Sequence, residues 1–285
     1  MIASKKIFII IIAEFFAALL VVISSGYVNL SMLYKYNDTT VVELTKYRKL
    51  FISEQEMNIL HFYTTNDEGF KQLVEINPDI LKKVVYNNIY TALAQPDESI
   101  GNKAPLMFRK VLPQSVYNSC YESYYSVLND IRTFPVEKDN AGNETVYFDD
   151  SFGSERTYGG DRSHEGCDIM AGNNKTDYFT VVSMTDGVVE KMGWLELGGY
   201  RIGIRSPSGG YYYYAHLSSY AEGLKEGDTV KAGDKLGMMG DTGYGEEGTT
   251  GKFDVHLHLG IYYGENEISF NPYYVLKLLN GMIDK

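Results

Sequence analysis

The chain of 285 residues is long enough for one sizeable hydrophobic core and a smaller second unit. Its 44% hydrophobic and 22% charged residues are ordinary for a globular protein, and its formal net charge of −11 argues against nucleic acid as the main partner, because binding a polyanion requires basic patches. Cys120 and Cys167 are too few for a disulfide scaffold or a four-cysteine zinc site. One bridge between them and two unpaired thiols both remain open.

The first 25 residues predict a transmembrane anchor. Lys5 and Lys6 precede an apolar run over 7–23, at the short end of the roughly 17–25 residues that span a bilayer. The basic flank predicts a cytoplasmic N-terminus, with the rest of the single-pass chain outside the cytoplasm. A cleaved signal peptide is the alternative, which the small residues over 24–26 keep open, and it also predicts export.

Residues 26–139 predict a helical juxtamembrane region whose role the sequence does not reveal. Apolar residues recur at helical spacing over 40–51, and further helices are predicted over 80–93 and 114–132. The segment 135–144 is polar, contains turn residues and predicts a linker.

Residues 140–285 have a different sequence pattern, in which short β-type runs separated by glycines replace the helical periodicity. Without intervening helices, such runs predict a mainly antiparallel sheet and, for the whole chain, the α+β class. A short C-terminal helix is predicted after Asn271 and Pro272, over 273–279. The predicted strands cover 145–148, 187–192, 200–204, 210–215, 235–239 and 254–262.

Four of the five histidines lie in this β-rich part. In a strand, residues two apart point to the same face, so His256 and His258 are predicted to project side by side. His164 and Asp168 are four residues apart, with Gly166 between them, and imidazole and carboxylate are both normal zinc ligands. Each of these patterns alone also fits an ordinary surface, and His216 alone, after a tyrosine-rich strand, indicates nothing special.

Together, and in this order, the motifs His-x-x-x-Asp, Tyr-Ala-His-Leu and His-x-His resemble the lysostaphin/LytM-type zinc endopeptidases of peptidase family M23. Further glycine-rich segments over 186–189, 225–237 and 239–243 look like the hairpins and turns of that domain. The resemblance covers roughly residues 145–275. It implies a lysostaphin-type peptidase fold in a bacterial protein.

By that resemblance, His164, Asp168 and His258 hold one Zn²⁺ per chain and leave a fourth position for water. His216 and His256 flank this water and the scissile carbonyl, take up a proton, stabilise the oxyanion and protonate the leaving amine. The implied activity is hydrolysis of peptide cross-links in peptidoglycan by an enzyme anchored in the cytoplasmic membrane. Relatives of this kind that only bind partners, in division or sporulation, give the alternative of a non-hydrolytic scaffold.

Two features bear on the substrate. The tyrosine run alternates faces, and we expect Tyr212 and Tyr214 to line a substrate groove near His216. The loop over 242–255 is longer than the Gly-Pro turn that commonly precedes the His-x-His strand in the family. The family resemblance implies stem or cross-bridge peptides of peptidoglycan as partners, and the sequence does not indicate which bond is cut.

Overall fold

The computed structural model describes residues 114–139, 144–158, 160–264 and 267–283, together with a few single residues before them: Arg48, Leu50, Ile52, Lys82, Val84, Val85 and Asn88. The predicted anchor over 1–25 lies outside the described residues. So do most of the predicted helices over 40–51 and 80–93, although the four described residues between 82 and 88 are helical. No helix within the described ranges is long and apolar enough to cross a bilayer.

Two helices and twelve strands make up the described structure. The helices are α1 (Gln114–Leu128) and α2 (Tyr273–Ile283). The strands are β1 (Val146–Phe148), β2 (Glu155–Arg156), β3 (Arg162–Ser163), β4 (Cys167–Ala171), β5 (Thr180–Val182), β6 (Gly187–Leu195), β7 (Gly199–Arg205), β8 (Tyr211–Tyr220), β9 (Thr229–Val230), β10 (Lys235–Met239), β11 (His256–Tyr263) and β12 (Ile268–Phe270). Every strand predicted over 145–262 is present.

Ten strands form one sheet in which all pairings are antiparallel, so the prediction of a mainly antiparallel β domain is confirmed. The order along the sheet is β1-β4-β11-β8-β7-β6-β9, with β10 beside β8, β5 beside β10, and β12 beside β11. Strands β2 and β3 form a separate hairpin. Strand β11 therefore lies between β4 and β8, the strands that carry Asp168 and His216.

Period-two alternation gives the central strands two distinct faces. On β11, Leu257, Leu259 and Ile261 are fully buried on the core face, and His256 and His258 lie on the other. On β7, Ile202 and Ile204 are fully buried in the same core. The apolar face of the sheet thus fixes the direction in which both histidines of β11 point.

Helix α1 packs on this sheet rather than standing apart from it. The Tyr124 ring meets the Phe270 ring edge to face at 5.4 Å between centroids, and both side chains are fully buried. The Tyr212 hydroxyl donates to the Val127 carbonyl at 2.9 Å, and the Ser208 backbone N–H donates to Asp130 Oδ2 at 2.6 Å. Helix α1 and the sheet therefore share one hydrophobic core.

The segment after α1 is also joined to the sheet. Ile131 forms a β-bridge with Thr185, and Val136 forms one with Val181. The predicted linker over 135–144 is wrong in its first residues for this reason, because polar composition does not reveal an edge pairing with β5.

Both cysteines are free and buried, Cys120 on α1 and Cys167 on β4. Burial raises the pKa of the Cys120 thiol to about 11, and burial together with Asp168 raises that of Cys167 further. The Cys167 thiol donates to the Asp149 carbonyl at 3.3 Å. Both are therefore packed thiols in the protonated form.

Candidate metal centre

Three side chains from adjacent segments converge beside β11. Asp168 on β4 lies directly opposite His258 on β11 in the antiparallel register, and His164 is on the segment that enters β4. Gly166 allows this approach, since a Cβ there would lie 2.6 Å from the His258 ring. The signal in the sequence was the spacing of His164 from Asp168, and the strand pairing supplies the third member.

The three potential ligand atoms form a nearly regular triangle. His164 Nε2 lies 2.9 Å from His258 Nδ1 and 3.1 Å from Asp168 Oδ1, and His258 Nδ1 lies 2.9 Å from Asp168 Oδ1. Tetrahedral zinc with bonds of about 2.0–2.1 Å spaces its ligands about 3.3 Å apart. Two imidazoles and one carboxylate at this separation therefore fit a zinc ion. They are the only such group of three found in the described part of the chain.

Neighbouring groups orient the ligands. His164 Nδ1 donates to the Ser151 carbonyl at 3.0 Å, which leaves Nε2 as the acceptor toward the triangle. Arg156 Nη2 donates to Asp168 Oδ2 at 2.5 Å, so Oδ1 is the oxygen that faces the triangle. Burial raises the pKa of the Asp168 carboxyl, but interactions with His164 and His258 outweigh it and hold this pKa well below the usual range. The carboxyl is therefore ionised near neutral pH.

His216 and His256 lie beside the triangle with their free nitrogens fixed. His216 Nδ1 is 2.8 Å from the Thr242 carbonyl, and His256 Nδ1 is 2.7 Å from the Asp254 carbonyl. Carbonyl oxygen only accepts, so each Nδ1 carries the proton and each neutral ring offers Nε2 as a base. The two rings are 4.7 Å apart, and His256 Nε2 is 3.8 Å from Asp168 Oδ1, outside the spacing of the triangle.

Burial lowers the pKa of His216 well below its ordinary value, and the neighbouring His256 and His258 lower it further. Burial also lowers the pKa of His258, against the opposing effect of Asp168. Both rings are therefore neutral near pH 7, as a proton acceptor and a metal ligand must be.

A β-bulge brings His216 to this face. Tyr200 pairs with Leu217 and Ile202 pairs with Tyr214, so Arg201 alone on β7 faces two residues, Ala215 and His216, on β8. His216 has a φ of +64°, in the left-handed region that few residues other than glycine adopt. Its ring consequently points to the same side of the sheet as Ala215, next to the triangle.

A groove with a volume of about 910 Å³ runs over these side chains. One wall is aromatic: Phe253 lies 4.6 Å from the His216 ring, and Tyr244 lies 4.9 Å from Phe253 and stacks on Tyr158 at 4.2 Å. The loop over 242–255, which was expected to depart from the family pattern, supplies Tyr244 and Phe253. Further lining residues include Arg162, Glu165, Lys191, Arg201, Tyr211, Tyr213, Tyr262 and Glu267.

The prediction that Tyr212 and Tyr214 line the groove is wrong. Both are fully buried on the core face, where Tyr212 donates to Val127 and the Tyr214 hydroxyl accepts from the Met184 N–H at 2.8 Å. Tyr211 and Tyr213 line the groove instead. Strict alternation would place the even-numbered residues of β8 on the same face as His216. The bulge at Ala215 and His216 puts both of these residues on the groove face, so the odd-numbered tyrosines share that face instead.

Sequence reasoning also missed Arg156, the partner of Asp168. It lies on the β2–β3 hairpin, twelve positions before Asp168, and no local motif distinguishes it from other exposed arginines. The structure does bring together the five other predicted residues: His164, Asp168, His216, His256 and His258. Glu165, the residue after His164, also lines the groove, and its Oε1 lies 4.0 Å from Arg48 Nη1.

Comparison with known proteins gives matches that include this site. The model of Peptidase family M23 matches residues 162–272, which contain all five side chains. The L-Ala–D-Glu endopeptidase of Bacillus subtilis (strain 168) is 46% identical over 125 residues, which are 43% of this chain and 37% of that protein. The chain thus matches little more than a third of the length of this relative.

Two solved structures extend the comparison. A Ruminococcus gnavus ATCC 29149 protein, provisionally described as the glycyl-glycine endopeptidase LytM, is 41% identical with a TM-score of 0.65, covering 89% of this chain and 96% of that one. The catalytic domain of lysostaphin from Staphylococcus simulans is 28% identical with a TM-score of 0.37, covering 47% of this chain and 93% of its own. The family model and the 41% identity over nearly the whole of the first structure together establish that the chain belongs to peptidase family M23.

Proposed function

We propose that the chain is a zinc-dependent endopeptidase that hydrolyses peptide bonds in bacterial peptidoglycan. The single observation that carries the proposal is the triangle of His164, Asp168 and His258 with two further histidines beside it, whose Nε2 atoms are free to accept a proton. The substrate class follows from the relatives, of which one is an L-Ala–D-Glu endopeptidase and another carries the description of a glycyl-glycine endopeptidase.

In this proposal, His164 Nε2, Asp168 Oδ1 and His258 Nδ1 hold the ion. Zinc bound by three protein ligands lowers the pKa of a water molecule toward about 7 and polarises a carbonyl. The Ser151 carbonyl and Arg156 keep the ligands oriented. The rest of the chemistry belongs to the two remaining imidazoles.

His216 and His256 accept and return the proton in this scheme. In both rings Nδ1 donates to a backbone carbonyl, so Nε2 is the nitrogen that can take the proton of the attacking water. A ring that has taken up this proton becomes a donor, and only then can it stabilise an oxyanion or protonate the leaving amine. Burial favours return of the proton, because it penalises the charged form of His216.

The non-hydrolytic scaffold has no observation in its favour, since all five side chains of a working site converge. Export and the membrane anchor remain part of the proposal on the strength of residues 5–25 alone. Fractionation of cells that express the full chain tests this part, and recovery of the intact chain only in the cytosol would refute it.

Digestion of purified peptidoglycan tests the activity. We expect the protein to contain about one zinc per chain by elemental analysis, to release new amino groups from peptidoglycan, and to lose this activity when a chelator removes the ion. Mass analysis of the fragments identifies the bond. A protein that carries zinc yet releases no amine from any type of peptidoglycan would contradict the proposal.

A further inference from the structure

Arg201 is a cation inside the groove for which the described residues supply no acceptor. It lies on β7 and lines the groove. Its Nη1 atom is buried and has no hydrogen-bond partner, and no described carboxylate lies within ion-pair distance of it. Buried polar atoms are almost always paired, so an unpaired guanidinium nitrogen in a groove points to a missing ligand.

The other two arginines that line the groove have hydrogen-bond acceptors. Arg156 donates to Asp168, and Arg162 donates to the Tyr158 carbonyl and to the Tyr244 hydroxyl. Arg205, four residues further along the same strand, donates to both carboxylate oxygens of Glu190, at 2.6 and 2.9 Å. Arg201 thus differs from these arginines because its buried Nη1 has no acceptor.

The position of Arg201 connects it to the reacting groups. It is the single β7 residue that faces Ala215 and His216 across the bulge. Directly opposite residues of an antiparallel pair have Cβ atoms about 4.5–5.5 Å apart. A group bound by the guanidinium therefore lies close to the bond that His216 serves.

The surrounding charge favours an anion. Lys191 on β6 also lines the groove and is a diagonal neighbour of Arg201, since Gly193 pairs with Arg201 and Lys191 pairs with Gly203. Three acids line the groove, and none forms an ion pair with Arg201: Glu165, Glu267 and Asp168, which is paired with Arg156. Arg201 and Lys191 thus place two adjacent cations on neighbouring strands of the groove.

We propose that Arg201, assisted by Lys191, binds a carboxylate of the substrate peptide next to the scissile bond. The inference rests on the proposed function and narrows it: the preferred substrate is an acidic peptide with a free carboxylate beside the bond that is cut, and not a run of uncharged glycines. A planar guanidinium suits this ligand, because its parallel N–H groups match the two oxygens of a carboxylate.

The test uses a pair of stem peptides that differ in one group. In one peptide the residue beside the scissile bond carries a free carboxylate, and in the other this group is a carboxamide; a pentaglycine peptide is the third substrate. We expect the zinc-loaded wild type to cleave the carboxylate peptide with a kcat/KM about 10–100-fold above that for the carboxamide, as fits a hydrogen bond to a charged group. Arg201→Gln should abolish this preference, and Arg201→Lys should retain part of it.

Arg205→Gln is the matched control, because it removes a guanidinium from the same strand outside the groove, and it should keep the preference. Binding of both peptides to zinc-free protein, measured by calorimetry, should follow the cleavage results: wild type and Arg205→Gln should bind the carboxylate peptide more tightly than the carboxamide, and Arg201→Gln should bind the two equally. Equal cleavage of the two peptides by wild type, or a preference that survives Arg201→Gln, would overturn the assignment while leaving the peptidase function intact. If wild type cleaves no peptide, the proposed function fails, and the calorimetric ranking still decides the role of Arg201.

Discussion

On strand β8, Tyr212 and Tyr214 face the hydrophobic core, whereas Tyr211 and Tyr213 line the groove. The same contrast holds on β11, where Leu257 is fully buried in the core and its neighbour His256 lies on the face of the His164, Asp168 and His258 triangle. Residue type does not decide which tyrosine lines the groove and which packs in the core. The face of the strand decides it, and on β8 a single extra residue at the bulge sets that face.

The largest effect expected from this contrast is on catalysis. His256→Ala should lower kcat/KM by about 10²–10⁴-fold, because it removes a proton acceptor from the groove face. Zinc content should be unchanged, since His256 Nε2 lies outside the triangle of ligand atoms. Peptide hydrolysis and elemental analysis on the same preparation measure both. Full activity in His256→Ala would remove this residue from the mechanism.

A smaller effect separates the two tyrosine pairs. Tyr214→Phe should lower the free energy of unfolding by about 1–3 kcal/mol, because it leaves the buried Met184 N–H without an acceptor. Tyr213→Phe, the matched change on the groove face, should affect stability less. Urea unfolding of both variants measures the difference. Equal losses of stability would contradict the assignment of Tyr214 to the core face and Tyr213 to the groove face.

The smallest effect concerns pH. Because burial holds the pKa of His216 below its ordinary value of about 6.5, the unfolded chain takes up a proton below this pH while the folded chain does not. Stability of the zinc-free protein should therefore fall as the pH drops below about 6.5, by up to about 1.4 kcal/mol per pH unit for this imidazole. His216→Gln should make the dependence shallower in urea unfolding from pH 7.5 to 5.5. Identical pH profiles would mean that His216 takes up its proton at the same pH in the folded and in the unfolded chain.

Features that depend on the spacing of neighbouring residues were predictable from the sequence. The His-x-His spacing on a strand gave the common direction of His256 and His258, and the resemblance to a family assigned the roles of His164, Asp168 and His216. The β-bulge was not predictable, because the left-handed backbone at His216 is stabilised by pairing with β7 and leaves no mark in the local sequence. The error over Tyr212 and Tyr214 followed directly from it.

Long-range contacts were equally hidden. Arg156 on the β2–β3 hairpin donates to Asp168 on β4, and the described residues around Arg201 on β7 leave its Nη1 without an acceptor. Neither arrangement can be read from the local sequence. The contact of α1 with the sheet joins residues about eighty positions apart, such as Val127 and Tyr212. Composition and periodicity describe each segment correctly without indicating which segments meet.

The packing of α1 sets a practical limit on how far the enzyme can be trimmed. A protein cut at residue 140 would lose the Tyr124 ring that covers Phe270 and the Val127 carbonyl that accepts from Tyr212. The Ser208 N–H would lose Asp130 as well. Interior side chains of the peptidase sheet would then meet water directly. The shortest fragment that retains these core contacts must include helix α1. It therefore begins at or before Gln114, well before His164, the first residue of the sequence motifs.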